Sequence, residues 1–143
     1  MTQTKDLMAQ GSDQTTEKKI LIIDDDDNMR LALHMRLKAA GYATVFATDG
    51  LSATNVAVKE VPDLVLLDLG LPAGDGFIIM ERFQRNPKLC CIPIIVLTAR
   101  EVRVNKDRAL GHGAYAFFQK PAESEVLMAA IERALRGSGA LAK

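Results

Sequence analysis

The stretch Leu64-Val65-Leu66-Leu67 is apolar at every position and stops on a carboxylate, Asp68, with Gly70-Leu71-Pro72 just beyond. A strand with one wet face alternates apolar and polar residues. A run without alternation is covered on both faces. Such strands belong to sheets sandwiched between helices, which restricts what the rest of the chain can be. An acid just past the end of such a strand finds its chemical partners at other strand ends.

The remaining chain fits that restriction. After a polar segment, 1–17, read as a mobile tail, Lys18-Lys19 leads into Ile20-Leu21-Ile22-Ile23, which ends on the acids Asp24 to Asp27. Met29, Leu33, Leu37 and Ala40 then recur at helical spacing, with Asp26 or Asp27 able to cap the start and Gly41 to end the helix. Residues 42–47 read as a second strand and 51–59 as a weaker helix behind Asp49-Gly50. Beyond Asp68, a Gly/Pro-rich turn precedes a helix over about 77–83. Residues 92–97 form strand 4 with Pro93 at its entrance, 101–110 a polar helix, and 114–118 strand 5. Leu127, Ile131, Ala134 and Leu135 mark the last helix, and 137–143 read as a flexible tail. Strands alternating with helices imply right-handed crossovers and a doubly wound parallel α/β sheet.

Composition narrows the class. At 143 residues, 48% hydrophobic and 25% charged, the chain suits one globular domain with one core. Its formal net charge of zero supplies no global field for nucleic acid or membrane. No apolar run approaches the roughly 18 residues of a membrane span, and the N-terminus lacks a signal-peptide pattern. A cytoplasmic protein is expected. The adjacent Cys90 and Cys91 cannot staple distant segments and read as reduced thiols at a strand entrance.

In such a sheet Asp24 and Asp25, Asp68, Thr98 and Lys120 follow strands 1, 3, 4 and 5 and meet on one rim. Clustered carboxylates repel, and a hard divalent cation such as Mg²⁺ removes the conflict. Asp25 and Asp68 with a backbone carbonyl near Gly70 would supply ligands, and Asp24 would act directly or through water. Lys120 adds a cation and Thr98 a hydroxyl. That set describes a phosphoryl group on a carboxylate, with Asp68 as its nucleophile.

The motifs Ile22-Ile23-Asp24-Asp25, Leu66-Leu67-Asp68-Leu69-Gly70-Leu71-Pro72-Ala73-Gly74-Asp75-Gly76, Leu97-Thr98-Ala99 and Gln119-Lys120-Pro121 make the sequence resemble a response-regulator receiver domain of two-component signalling. The likeness covers about 18–136. It implies a flavodoxin-like fold of five strands in order 2-1-3-4-5 with five helices. It implies Asp68 as phosphoacceptor, with Asp24, Asp25, Asp68 and the Gly70 carbonyl for Mg²⁺. It implies Thr98 as switch hydroxyl, the Ala99 backbone N–H and Lys120 on the phosphoryl group, and a cis bond before Pro121. The family's switch aromatic falls at Phe117, which has no hydroxyl. Gly70 carries no side chain where many relatives have one, so water is expected to reach the acyl phosphate more freely.

Plainer readings stand beside these. Asp26 and Asp27 read as cap and solvated face. His34 reads as a surface or half-buried helix residue, and His112 as loop. Phe117 serves equally as packing, with Tyr115 on the same side of the strand. The basic residues of helix 4 are diluted by acids and read as a solvated face.

The resemblance implies a sensor histidine kinase or histidine phosphotransfer protein as donor. Output is expected through protein contacts on the helix 4–strand 5–helix 5 face, since no output segment follows helix 5. The downstream partner is unknown, and homodimerisation on phosphorylation is compatible with the pattern. No direct nucleic-acid or membrane partner is expected. A receiver excised from a larger regulator is an alternative. So is a Mg²⁺-dependent phosphatase or phosphotransferase, although Gly70 stands where such an enzyme needs its general acid.

Overall fold

The computed structural model describes residues 17–71 and 74–140. The expected tail over 1–17 lies outside the described residues except for Glu17. The strands are β1 (Lys19–Ile23), β2 (Ala43–Ala47), β3 (Leu64–Leu67), β4 (Ile94–Thr98) and β5 (Ala116–Gln119). They form one parallel sheet in the order β2-β1-β3-β4-β5. Among the described residues five helices connect and follow them: α1 (Asp27–Ala39), α2 (Gly50–Glu60), α3 (Gly76–Arg85), α4 (Val102–Gly111) and α5 (Ser124–Ala140).

The apolar runs have the predicted cause. β1 residues Ile20 to Ile23 and all of β3 are buried, and each strand feeds two cores. Leu21, Ile23, Val65, Leu67 and Val96 pack with Ala53, Phe77, Met80 and Phe83 beneath α2, α3 and α4. Ile20, Ile22, Leu64, Leu66, Ile95 and Leu97 pack with Leu33, Leu37, Leu127 and Ile131 of α1 and α5. Side chains alternate along each strand, so helices on both faces bury every position. Each large side chain so buried is worth about 1.5–3 kcal/mol relative to exposure.

Local chemistry sets the helix starts. The Asp26 carboxylate accepts from the amides of Asn28 and Met29 and opens α1; Asp49 does the same for α2 through Ser52. Each satisfies amides that have no partner inside the helix. Ala40, expected on the α1 stripe, is instead its exposed C-cap. Gly41 beyond it takes φ 96°, a conformation that ends the helix without a Cβ clash.

Several boundaries differ from the sequence reading. β4 starts at Ile94 rather than 92, because Pro93 has no N–H to enter the ladder, and it runs on to include Thr98. β5 starts at Ala116; Ala114 and Tyr115 still belong to the approach. Tyr115 therefore leaves the strand's alternation. It packs with the α1/α5 core, whereas Phe117 packs with the opposite one. The expectation that the two share a side fails. Past 136, where a flexible tail was expected, α5 continues to Ala140; extending a helix of several turns is far easier than starting one. The expected turn after Asp68 includes a short antiparallel ribbon, Gly70–Leu71 against Gly74–Asp75.

Candidate functional site

Strand register builds the rim. Ile23 of β1 pairs with Leu67 of β3, so Asp24 and Asp68 emerge side by side. The Asp68 amide donates to the Ile23 carbonyl at 3.0 Å, and the Asp24 amide to Ala47 at 3.1 Å. Thr98 pairs with Gln119, and the Lys120 amide donates to the Thr98 carbonyl at 2.8 Å. The backbone ladder thus delivers four distant positions to one sheet edge.

The side chains meet there. One oxygen from each of Asp24, Asp25 and Asp68 lies within 4.8 Å of the others. Asp24 and Asp68 are buried and Asp25 is exposed. Lys120 Nζ donates to Asp24 Oδ2 at 2.8 Å and to Asp68 Oδ2 at 3.4 Å. The Gly70 amide reaches the other Asp68 oxygen, Oδ1, at 3.2 Å. Asp24 Oδ1 accepts from the Asp26 amide at 2.9 Å.

Electrostatics follows from burial and pairing. Burial pushes the Asp24 carboxyl above its ordinary range, and the Asp68 charge adds to the rise. Hydrogen bonds from Lys120 and the Asp26 amide partly oppose it. For Lys120, burial alone would lower the pKa, yet the hydrogen bond and charge of Asp24 and the charge of Asp68 outweigh it and raise the pKa. A fixed ammonium therefore faces the carboxylates throughout the neutral range. Three acids that converge while only two touch the lysine form a donor set of the kind Mg²⁺ takes: hard oxygens with one side open to water.

Thr98 is 1% exposed, and its Oγ1 accepts from the Arg100 amide at 3.3 Å. Ala99, next to it, is exposed. The Lys120–Pro121 bond is cis. Phe117 is half-buried against the α2/α3/α4 core.

Two contributors escape sequence reasoning. Arg100 leans over Gly70: its Nε lies 3.8 Å from where a Gly70 Cβ would stand. Its Nη1 pairs with Asp75 at 3.6 Å, while Asp75 caps α3 through the Phe77 amide. The Arg100 side chain borders the space beside Gly70, which is itself exposed. Arg30 supports the rim from α1, donating to the Asp24 carbonyl at 2.8 Å and pairing with Asp27. Asp27 is thus an ion-pair partner as well as an exposed first-turn acid.

The histidines have structural partners. His34 Nδ1 meets Thr44 Oγ1 at 2.6 Å. His112, expected as loop, is the C-cap of α4. It lies against Phe77, with Nε2 at 3.3 Å from Glu81 of α3.

Comparison with known proteins agrees with this geometry. The family model described as response regulator receiver domain matches residues 20–132. The DNA-binding dual master transcriptional regulator RpaA of Synechocystis is 36% identical over 118 residues, 82% of this chain and 49% of that protein. The phosphate regulon transcriptional regulatory protein PhoB of Pseudomonas aeruginosa is 37% identical over 122 residues, 85% of this chain and 53% of its own. The chain thus spans about half the length of these curated relatives. Among solved structures, a CheY-like receiver domain protein from Methanospirillum hungatei superposes with TM-score 0.80 at 25% identity, covering 87% of this chain and 98% of that one. The BeF3-activated receiver domain of Klebsiella pneumoniae RstA gives TM-score 0.75 at 30% identity, covering 82% and 98%.

Proposed function

Because the chain belongs to the response-regulator receiver domain family, we propose that it is a phosphorylation-controlled switch with Asp68 as the phosphoacceptor. The observation that carries this reading is the pairing of Lys120 with both Asp24 and Asp68 beside the exposed Asp25.

The donor is a phosphohistidine on a sensor kinase or phosphotransfer protein. A carboxylate oxygen of Asp68 attacks phosphorus, the P–N bond breaks, and the imidazole leaves as the acyl phosphate forms. Asp24, Asp25, Asp68 and the Gly70 carbonyl would hold Mg²⁺, which when bound offsets the negative charge shared by carboxylates and phosphoryl group. Lys120, already fixed at the rim, holds a phosphoryl oxygen. The Thr98 hydroxyl exchanges its bond from the Arg100 amide for a phosphoryl oxygen, with the Ala99 amide beside it. Those movements bias the α4–β5–α5 face, where Phe117 lies, between two arrangements that a protein partner distinguishes. The downstream partner reads that face, and a second copy of the chain is one such reader.

The chain catalyses only its own phosphorylation and dephosphorylation. Gly70 offers no general acid for turnover, and α1 to α5 provide no lid. No helix among the described residues is long and apolar enough to cross a membrane.

Incubation with acetyl phosphate and Mg²⁺ tests the reading by intact mass. One phosphate per chain is expected on the wild type and none on Asp68→Ala. Continuous release of inorganic phosphate at enzymatic rates, or label retained by Asp68→Ala, overturns it.

A further inference from the structure

The turn between α3 and β4 carries Cys90 and Cys91 side by side. Asn86 organises it: its carbonyl accepts from the amides of Leu89 and Cys90, and its side chain from the amide of Lys88. Leu89, 1% exposed, pins the turn to the core. Both cysteines are exposed and unpaired by any disulfide, yet their side chains converge, with Sγ to Sγ 3.8 Å. Beside them opens a cavity of about 240 Å³, lined by both cysteines with Ile92, Pro93, Tyr115 and Ala134.

The chemistry of this pair is selective. Neither a carboxylate nor an imidazole lines the cavity, so it offers a hard cation no charged side-chain ligand. Paired sulfurs suit soft, thiophilic acceptors. Direct oxidation is disfavoured by geometry. Adjacent Cα atoms stand about 3.8 Å apart across a trans peptide, whereas disulfides use Cα separations of roughly 4.4–6.8 Å. One larger atom placed between the sulfurs avoids that strain. The hydrogen bond with Cys91 pushes the Cys90 thiol up.

We propose that Cys90 and Cys91 form a bidentate site for a trivalent arsenical carrying one apolar substituent, the sulfurs taking arsenic and the cavity taking the substituent. In the binding step two S–H bonds break and two As–S bonds form. The oxygen of the arsenic oxide leaves as water with both protons. Arsenic stays trivalent, so no oxidant or reductant enters. The site lies at the entrance of β4, with Thr98 at the strand's other end, and it does not depend on the role proposed for Asp68.

The test uses the full chain and phenylarsine oxide under native conditions. Intact mass is expected to show one phenylarsenic per chain that survives excess monothiol and is stripped by a vicinal dithiol. Cys90→Ser and Cys91→Ser are each expected to fold, their side chains being exposed, and to lose that persistence. Thermal melting is expected to rise with the arsenical in the wild type alone. An adduct as labile in the wild type as in the single variants, or one formed only after denaturation, overturns the site. Methylarsine oxide is expected to bind severalfold more weakly than the phenyl compound, and equal retention overturns the role given to the cavity.

Discussion

Lys120 Nζ stands 2.8 Å from Asp24 Oδ2 and 3.4 Å from Asp68 Oδ2, so the ammonium is held more closely by a carboxylate other than the proposed acceptor. Asp24 is the most buried acid of the rim, 2% exposed. Its charge is therefore both the strongest anchor for Lys120 and the costliest to keep.

That cost has a pH signature. Burial raises the Asp24 pKa above 3.8, against the lowering effect of Lys120 and the Asp26 amide. A carboxyl with a raised folded pKa holds its proton more tightly native than unfolded. Its ionisation therefore removes stability as pH rises from its ordinary value through the raised one. Asp24→Asn deletes the charge while leaving an oxygen to accept from Lys120. In chelator, the variant is expected to melt above the wild type near neutrality. The gap is expected to close as pH falls to about 4. A gap of the same size at both pH values contradicts the assignment.

Asp25 separates metal binding from folding. It converges with Asp24 and Asp68 but is exposed, so its removal creates no cavity and strands no buried group. Asp25→Ala is expected to melt within about 0.5 kcal/mol of the wild type in chelator, as surface changes do. Mg²⁺ is expected to raise wild-type melting, by about 2.7 kcal/mol at a hundredfold excess over Kd, and to leave Asp25→Ala nearly unmoved. Titration followed by differential scanning calorimetry reads both.

Arg100 is expected to control how long the phosphorylated form lasts. Its side chain borders the space over Gly70 and is steadied by Asp75. Arg100→Ala opens a path for water towards Asp68, and hydrolysis of the acyl phosphate is expected to quicken severalfold. Loss of label after removal of acetyl phosphate gives the rate. An unchanged or slower decay shows that Arg100 does not shield the bond.

Much of this was legible in the chain. Leu64 to Leu67 form β3 at the bounds read from their unbroken apolarity, because burial on both faces leaves that mark. Asp26 and Asp49 declare their helices because a capping carboxylate is a local device. The rim was legible because parallel strands put their carboxyl ends together. Arg100 over Gly70 was not, since how a long side chain crosses a gap depends on tertiary placement. Tyr115 was misplaced because alternation was counted through residues that precede the strand. The extent of α5 past Arg136 was missed because Gly137 and Ser138 read locally as a tail, while the helix behind them carries the cost of starting.

Gly76 links α3 to the acceptor loop, and its substitution tests how tightly the two are joined. A Cβ there would meet the Leu69 Cα at 2.7 Å and the Asp68 carbonyl oxygen at 3.1 Å. Both are backbone atoms, fixed by the Gly76 amide bond to the Leu69 carbonyl at 3.0 Å and by the buried Leu69 side chain. Neither can turn aside as a flexible side chain would. Gly76→Ala must therefore shift the start of α3 or the segment bearing Asp68. Overpacking of this kind costs about 1–3 kcal/mol, far above the small helix-propensity gain of alanine at a first turn. Denaturant unfolding is expected to show that loss, and labelling by acetyl phosphate is expected to slow, because the displaced backbone carries the acceptor. A variant as stable as the wild type with unchanged labelling would mean that α3 moves freely on Leu69.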